Sequence, residues 1–451
     1  MHDLYRHLGS RSLWDKYDVP KCPVVEVTEV WAEEGDSRSR TITETTIISA
    51  ASIDDWLETT PHRCFPDGNY TRAVRIVWVG EERDGRRVSP STQTLQGLAD
   101  AWGLQDAMNY AQSAFAGVSA LDPDAEGQTF TVVYHPKLLV AWRHGRRGGP
   151  DSPTETRVII FVEGEERSEL HRILGSKWSP GTVTHPMFPA LLCGLMLAHG
   201  LDSTLEGIKT TVREVEARTG HHRFASRRQT QPAAGELGSL SAHMSGCAAK
   251  LATGTRKMKV VEAINDFMSQ HMNDSAENGN DTGNQEAAIA RTGVAGNHFS
   301  HSHLGLLRHR VNMQAVDIAY VQQRIQVQLA ALFHLIAQQD NAMAFDTARA
   351  TRRIAASSLQ DSSSMKMLAL VAMFFLPGSF VATLFSTPLF AWDQAVTSGG
   401  IGVGTRPQFA LFWAVTAPLT ALVFGLYGVW MCCQSRADRR NNSKMAPLDD
   451  V

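Results

Sequence analysis

Ser379, Thr383 and Ser386 are separated by four and three residues in an otherwise apolar stretch. That spacing puts their hydroxyl groups on one face of a helix. Carrying the face backwards by the same steps gives Leu376, Ala372, Ala369 and Met365. Hydroxyl oxygens above an apolar sleeve suit a hydrated cation path with a hydrophobic constriction. Ser and Thr in membrane helices also bond their own backbone or a neighbouring helix, and the spacing leaves both readings open. Other candidates point to no reaction. His298, His301 and His303 sit in a polar stretch without Cys or carboxylate at ligand spacing, and read as a solvated loop. Ser363 and Lys366 form an S-x-x-K without its companion motifs, and Gly399, Gly400, Gly402 and Gly404 lack the strand and helix that a phosphate loop needs. The acidic turns Glu163–Glu166 and Asp122–Glu126 read as solvated surface. No nucleophile, base and orienter can be assembled, so no enzyme and no cofactor are expected.

The elements that must position the hydroxyl face are membrane-grade. Met367 to Phe385 carries no charge, and neither does Phe409 to Cys433. At about 1.5 Å per residue each can cross a hydrocarbon core of about 30 Å. The expected partner is therefore the lipid bilayer. The connector holds one acid, Asp393, and one base, Arg406, whereas Arg349, Arg352, Arg353 and Lys366 lie upstream and Arg436, Arg439, Arg440 and Lys444 downstream. The positive-inside rule places both termini in the cytosol and the connector outside. The first residues lack an apolar core, so no secretory signal is read there. Cys432 and Cys433, at the inner end of the second run, could carry palmitate or serve as small apolar residues.

The whole chain has 451 residues with 43 Lys and Arg against 46 Asp and Glu, a formal net charge of −3. Nothing there asks for a nucleic-acid partner. The cysteines include no C-x-x-C pair, which excludes a zinc ribbon. Residues 1–180 mix strand and helix signals and read as a cytosolic α/β domain. Ala73–Val79, Gln128–Tyr134 and Arg157–Val162 are strands, Thr94–Phe115 is a helix, and Arg143–Pro150 is an exposed basic turn. Residues 181–272 read as helical and 273–303 as a polar, flexible insertion. Residues 304–364 form a long stalk helix, with Val311, Ala315, Ile318, Ile325, Leu329, Leu332 and Ile336 as a narrow seam of the kind that joins helices side by side. Either it runs unbroken into the first membrane helix, on the order of 120 Å in all, or it kinks near Ser357–Ser364. The remainder divides into a first transmembrane helix (365–386), an outer loop (387–408), a second transmembrane helix (409–433) and a basic cytosolic tail (434–451).

Met365-Lys366-Met367-Leu368, followed by Ala372, Phe375-Leu376-Pro377, Phe380, Ala382 and Phe385, resembles the first membrane helix of the CorA-type magnesium transporters. The resemblance is tight over about residues 310–435, is architectural before that, and is nearest to the divergent forms of filamentous fungi. It implies passive transport of a divalent cation, magnesium by the family's habit, through a homopentamer. It also implies a pore-facing role for Ser379 and a basic ring made by Arg436, Arg439, Arg440 and Lys444. The family's Gly-Met-Asn signature falls on Ser386-Thr387-Pro388. Pro388 has neither a side-chain amide nor an N–H, so only hydroxyl and carbonyl oxygens are offered there. A membrane-anchored scaffold or sensor that has lost transport is the alternative, and a subunit conducting only beside a partner with the full signature is a third reading.

Overall fold

The structure, a computed structural model, describes residues 24–33, 40–80, 90–114, 116–146, 153–220, 232, 235–277, 286–387 and 407–442, with side chains undescribed at 273–277, 286–301, 407–408, 434 and 437–442. The chain divides into two compact units, Met1–Ala337 and Gln338–Val451.

The first unit is built on a mixed sheet. Its strands are β1 (Val24–Glu33), β2 (Thr41–Ser49), β3 (His62–Phe65), β4 (Gly68–Val79), β5 (Ala116–Ala120), β6 (Gly127–Tyr134), β7 (Leu138–Arg146) and β8 (Thr154–Val162). The order is β2-β1-β4-β8-β7-β6-β5, with β3 paired to β4 at the side. β4 and β8 run parallel, and the other pairs are antiparallel. The strands read from the sequence fall within β4, β6 and β8. Val74–Val79 and Val158–Val162 are buried on both faces, so their β-branched runs do not alternate with polar residues.

One face carries Val77, Val79, Ile159 and Phe161 beneath α1 (Ile53–Leu57), α2 (Thr92–Ala101) and α3 (Gln105–Ser113). The single helix expected over Thr94–Phe115 is thus two. Gly103 breaks it at φ +64°, where a Cβ would strike the Arg143 guanidinium at 2.2 Å. The opposite face, with Ile76, Trp78, Trp142 and Ile160, packs under α4 (Gly164–Leu174), α6 (Phe188–Thr219), α7 (Glu236–Glu277) and the start of α8 (Glu286–Phe385); α5 (Pro180–Val183) is a short connector. Arg167 of α4 ties into the sheet by bonding Glu26 and the Gly80 carbonyl, and His171 stacks on Trp78 with ring centroids 4.0 Å apart.

Arg143 corrects the expected basic turn. It lies in β7, almost fully buried, and bonds Asp124 and the Gly103 carbonyl. Charge alone suggested exposure, but a carboxylate in the β5–β6 connection lets an arginine go inside. The backbone also differs from the expected flexible insertion over 273–303. Helix continues to Glu277 and resumes at Glu286, and residues 278–285 lie outside the described ones. Glu286-Ala-Ala-Ile-Ala-Arg is a strong helix-forming run. The helix then passes through Ser357–Ser364 without a break and contains Pro377.

The stalk seam does join helices side by side, and its partner lies within the same chain. Val311, Ile318, Ile325 and Leu332 are buried in the first unit's own core. Arg310, Asp317 and Arg324 of α8 pair with Asp202, Lys209 and Glu216 of α6, each pair separated by 108 residues in the chain. A constant offset with steps of seven on both sides means two parallel helices in a shared heptad register. The seam is therefore intramolecular.

His144 in β7 gives the first unit an acid-sensitive point. Its Nδ1 lies 2.8 Å from the Thr156 hydroxyl. Burial, followed by the charges of His185 and Arg157, pushes its pKa from 6.5 down to about 4. The unfolded imidazole takes up a proton below about pH 6.5, which the folded one refuses until about pH 4. Stability is therefore unaffected above that window and falls across it, by at most about 3 kcal/mol. Denaturant melts from pH 7 to 4 should show a shallower loss for His144→Asn than for the native chain. An identical slope in both would discard this origin.

Candidate functional site

The second unit holds the end of α8 and helix α9 (Pro407–Asn442). By length and composition, Phe188–Thr219, Ser302–Phe385 and Phe409–Cys433 could each cross a membrane. Their surroundings separate them. The apolar window of Phe188–Thr219 is 67% buried within the protein, whereas the windows of the other two are 11% and 6% buried. Phe188–Thr219 is packed within the first unit's core, and the other two present apolar surface outward.

The end of α8 and α9 pack as an antiparallel pair. Phe385 meets Phe412 at 6.4 Å between ring centroids, and a Cβ on Gly378 would sit 3.7 Å from Thr416 Cγ2. Pro377, Val381 and Thr416 are buried there. Beside the contact runs an open groove of about 510 Å³ lined by Leu376, Pro377, Ser379, Phe380 and Thr383 from α8 and Leu419 and Val423 from α9.

Met365, Ala369, Ala372, Leu376, Ser379, Thr383 and Ser386 are all exposed on the single chain. Leu376, Ser379 and Thr383 meet in the groove, at the flank of α9. The hydroxyls are engaged locally: Ser379 Oγ donates to the Leu376 carbonyl at 3.1 Å, and Thr383 Oγ1 to that of Ser379 at 2.8 Å. Thr387 Oγ1 donates to the Leu384 carbonyl at 2.6 Å. Pro388, Lys444 and the side chains of Arg439 and Arg440 lie outside the described residues, and Arg436 is exposed.

A second seam escaped the sequence reading. Counting in sevens from Leu306 gives Met313, Tyr320, Val327, His334, Asn341, Ala348, Ala355, Ser362, Ala369, Leu376 and Thr383. Counting in sevens from His309 gives Val316, Gln323, Ala330, Ala337, Ala344, Thr351, Ser358, Met365, Ala372, Ser379 and Ser386. Every one is exposed and none is Asp, Glu, Lys or Arg. The charges of this stretch, from Arg308 to Lys366, all fall at the other heptad positions. The hydroxyl face is thus the end of a longer series. Small and weakly polar residues concealed it, because a search for apolar spacing finds the buried seam first. Its usable signal was the absence of charge.

His303 corrects the solvated-loop expectation. It lies within α8, partly buried, with its ring centroid 5.7 Å from that of Trp178. It helps line a groove of about 290 Å³ with Glu169, Arg172, His199 and Arg310. In the acidic turns Asp122, Asp124, Glu126 and Glu165 are exposed, as read from the sequence; Asp124 and Glu126 also face Arg143, and Glu166 pairs with Lys137. Among the described residues, no three His, Cys, Asp or Glu side chains gather to hold a metal ion.

No family model matches the chain. A stretch of 62 residues is 40% identical to the notoamide biosynthesis cluster protein M′ of Aspergillus versicolor, covering 14% of this chain and 13% of that protein. The chain therefore matches only a small part of that relative's length, and the likeness assigns neither a family nor an activity.

Proposed function

We propose that the chain is one subunit of a homo-oligomeric, helix-lined channel for divalent cations, CorA-like in plan and with magnesium as the first cation to test. The observation that carries this reading is the exposed, charge-free heptad series that ends in Ser379, Thr383 and Ser386. In a parallel symmetric bundle each axial position meets its own copies, so any charge there repels itself. A straight α-helix drifts about 20° per heptad, so a series this long keeps to one face only if the helices wind around one another. Two membrane helices cannot enclose water, so the conducting form needs several copies with α8 innermost; the family resemblance suggests five. Both termini are cytosolic, and Arg436, Arg439, Arg440 and Lys444 surround the inner mouth. Transport is passive, since inward movement of a divalent cation gains about 4.6 kcal/mol per 100 mV.

The second reading, a membrane-anchored scaffold or sensor, draws on the hydroxyl bonds to the backbone. Those bonds satisfy Ser379 and Thr383 without any pore. Magnesium uptake into liposomes holding the purified protein, under an inside-negative potential, separates the two. A channel gives saturable uptake that Thr383→Leu abolishes. Folded, oligomeric protein that passes neither magnesium, cobalt, nickel nor zinc leaves the scaffold standing.

A further inference from the structure

We infer that His334 copies converge in the assembled protein to form a binding site for a transition-metal cation such as zinc, nickel or cobalt. The inference rests on the oligomeric reading above and adds a ligand class to it. His334 is exposed and occupies the charge-free series of α8. Among the described residues one chain brings one imidazole to this level, so a site needs several copies, and symmetry supplies them at equal height.

The surroundings favour His334 over His309, the other histidine of the series. Arg308 and Arg310 flank His309 in the chain, and each faces an acid of the same subunit, Asp266 at 3.6 Å and Asp202 respectively. Between Arg324 and Asp340 the helix carries no charged residue, so α8 itself brings no fixed positive charge to His334. The series positions on either side are Ala330 and Ala337, both exposed. Small residues one turn above and below let neighbouring helices approach closely, which draws the imidazoles together. Leu332, two residues away, is fully buried in the first unit's core and fixes which way the helix presents His334.

Ligand chemistry then selects the metal. Neutral imidazole nitrogen suits zinc, nickel and cobalt, whereas magnesium and calcium prefer oxygen. The rest of the series offers amide and hydroxyl oxygens. A hydrated magnesium ion would pass the His334 level without binding tightly, and a transition metal would stop there.

The test uses full-length protein in mild detergent. Native mass spectrometry gives the copy number, and equilibrium dialysis against zinc chloride gives the metal content of native, His334→Ala and His309→Ala proteins. The expected result is an intact oligomer whose tightest zinc class amounts to less than one ion per chain. That class should be lost in His334→Ala, kept in His309→Ala and released by acid, since protonated imidazole does not bind metal. Equal zinc binding by His334→Ala and native oligomers overturns the site and leaves the oligomer intact. A single-chain species in the native protein overturns the oligomeric reading itself, and the site with it.

Discussion

Glu155→Ala should cost the first unit about 3–5 kcal/mol, the scale for breaking one partner out of a buried ion-pair network. Glu155 Oε1 accepts from Arg72 Nε at 2.7 Å and lies 2.9 Å from Arg75 Nε. Both guanidiniums are only 2% exposed. Arg72 also donates to Glu29 at 3.1 Å, and both arginines donate to the Thr59 carbonyl at the end of the α1 turn. Two cations and two carboxylates balance in the native cluster. Without Glu155, Glu29 alone faces both, and burial already works against its charge, raising its pKa despite Arg72. The surface pair Arg63–Glu44, with side chains 52% and 34% exposed, is the natural control. Glu44→Ala should change stability by less than about 1 kcal/mol. Trp31 and Trp56 sit beside Arg72 and Arg75, so tryptophan fluorescence during urea unfolding reads the cluster directly. Equal midpoints for the two variants would show that the cluster is a bystander.

The second large effect separates the two seams of α8. Leu332 is fully buried, and Leu332→Ala should destabilise the subunit by about 2–5 kcal/mol through lost burial and an unfilled cavity. Val327 is 54% exposed on the charge-free series. Val327→Glu leaves the subunit core untouched, so its unfolding midpoint should move by no more than about 0.5 kcal/mol. In the proposed bundle, however, it places a carboxylate opposite its own copies. The mass in detergent should then fall from oligomer to single chain. An oligomer that tolerates Val327→Glu would mean that this series is not an interface.

These two helix faces also show what the sequence made legible. The membrane-grade runs were plain because nothing charged interrupts them, and β4, β6 and β8 were plain because β-branched runs end in turn residues. The stalk seam was visible as a pattern, but its partner was not. Heptad spacing specifies that a helix packs, whereas the charges at Arg310, Asp317 and Arg324 find their complements only once α6 is placed beside them. The burial of Arg143 depended likewise on Asp124 in the β5–β6 connection. Of the candidate site, the hydroxyl face was legible by spacing. Its extension down to Leu306 was not, because alanine, serine and asparagine carry little hydropathy signal.

The bonds that Ser379 and Thr383 make to their own backbone have a bearing on ion sign. Each hydroxyl has one proton, and both protons point back into the helix. What remains facing outward is oxygen lone pairs, so this surface accepts hydrogen bonds and donates none. In the proposed channel, water lying against such a wall turns a hydrogen toward the protein. There, water that donates to such a wall has fewer hydrogens left for chloride, while its oxygens stay available to a cation. A preference for cations would then follow, in the proposed channel, from where two protons are stored, without a single fixed negative charge on the wall.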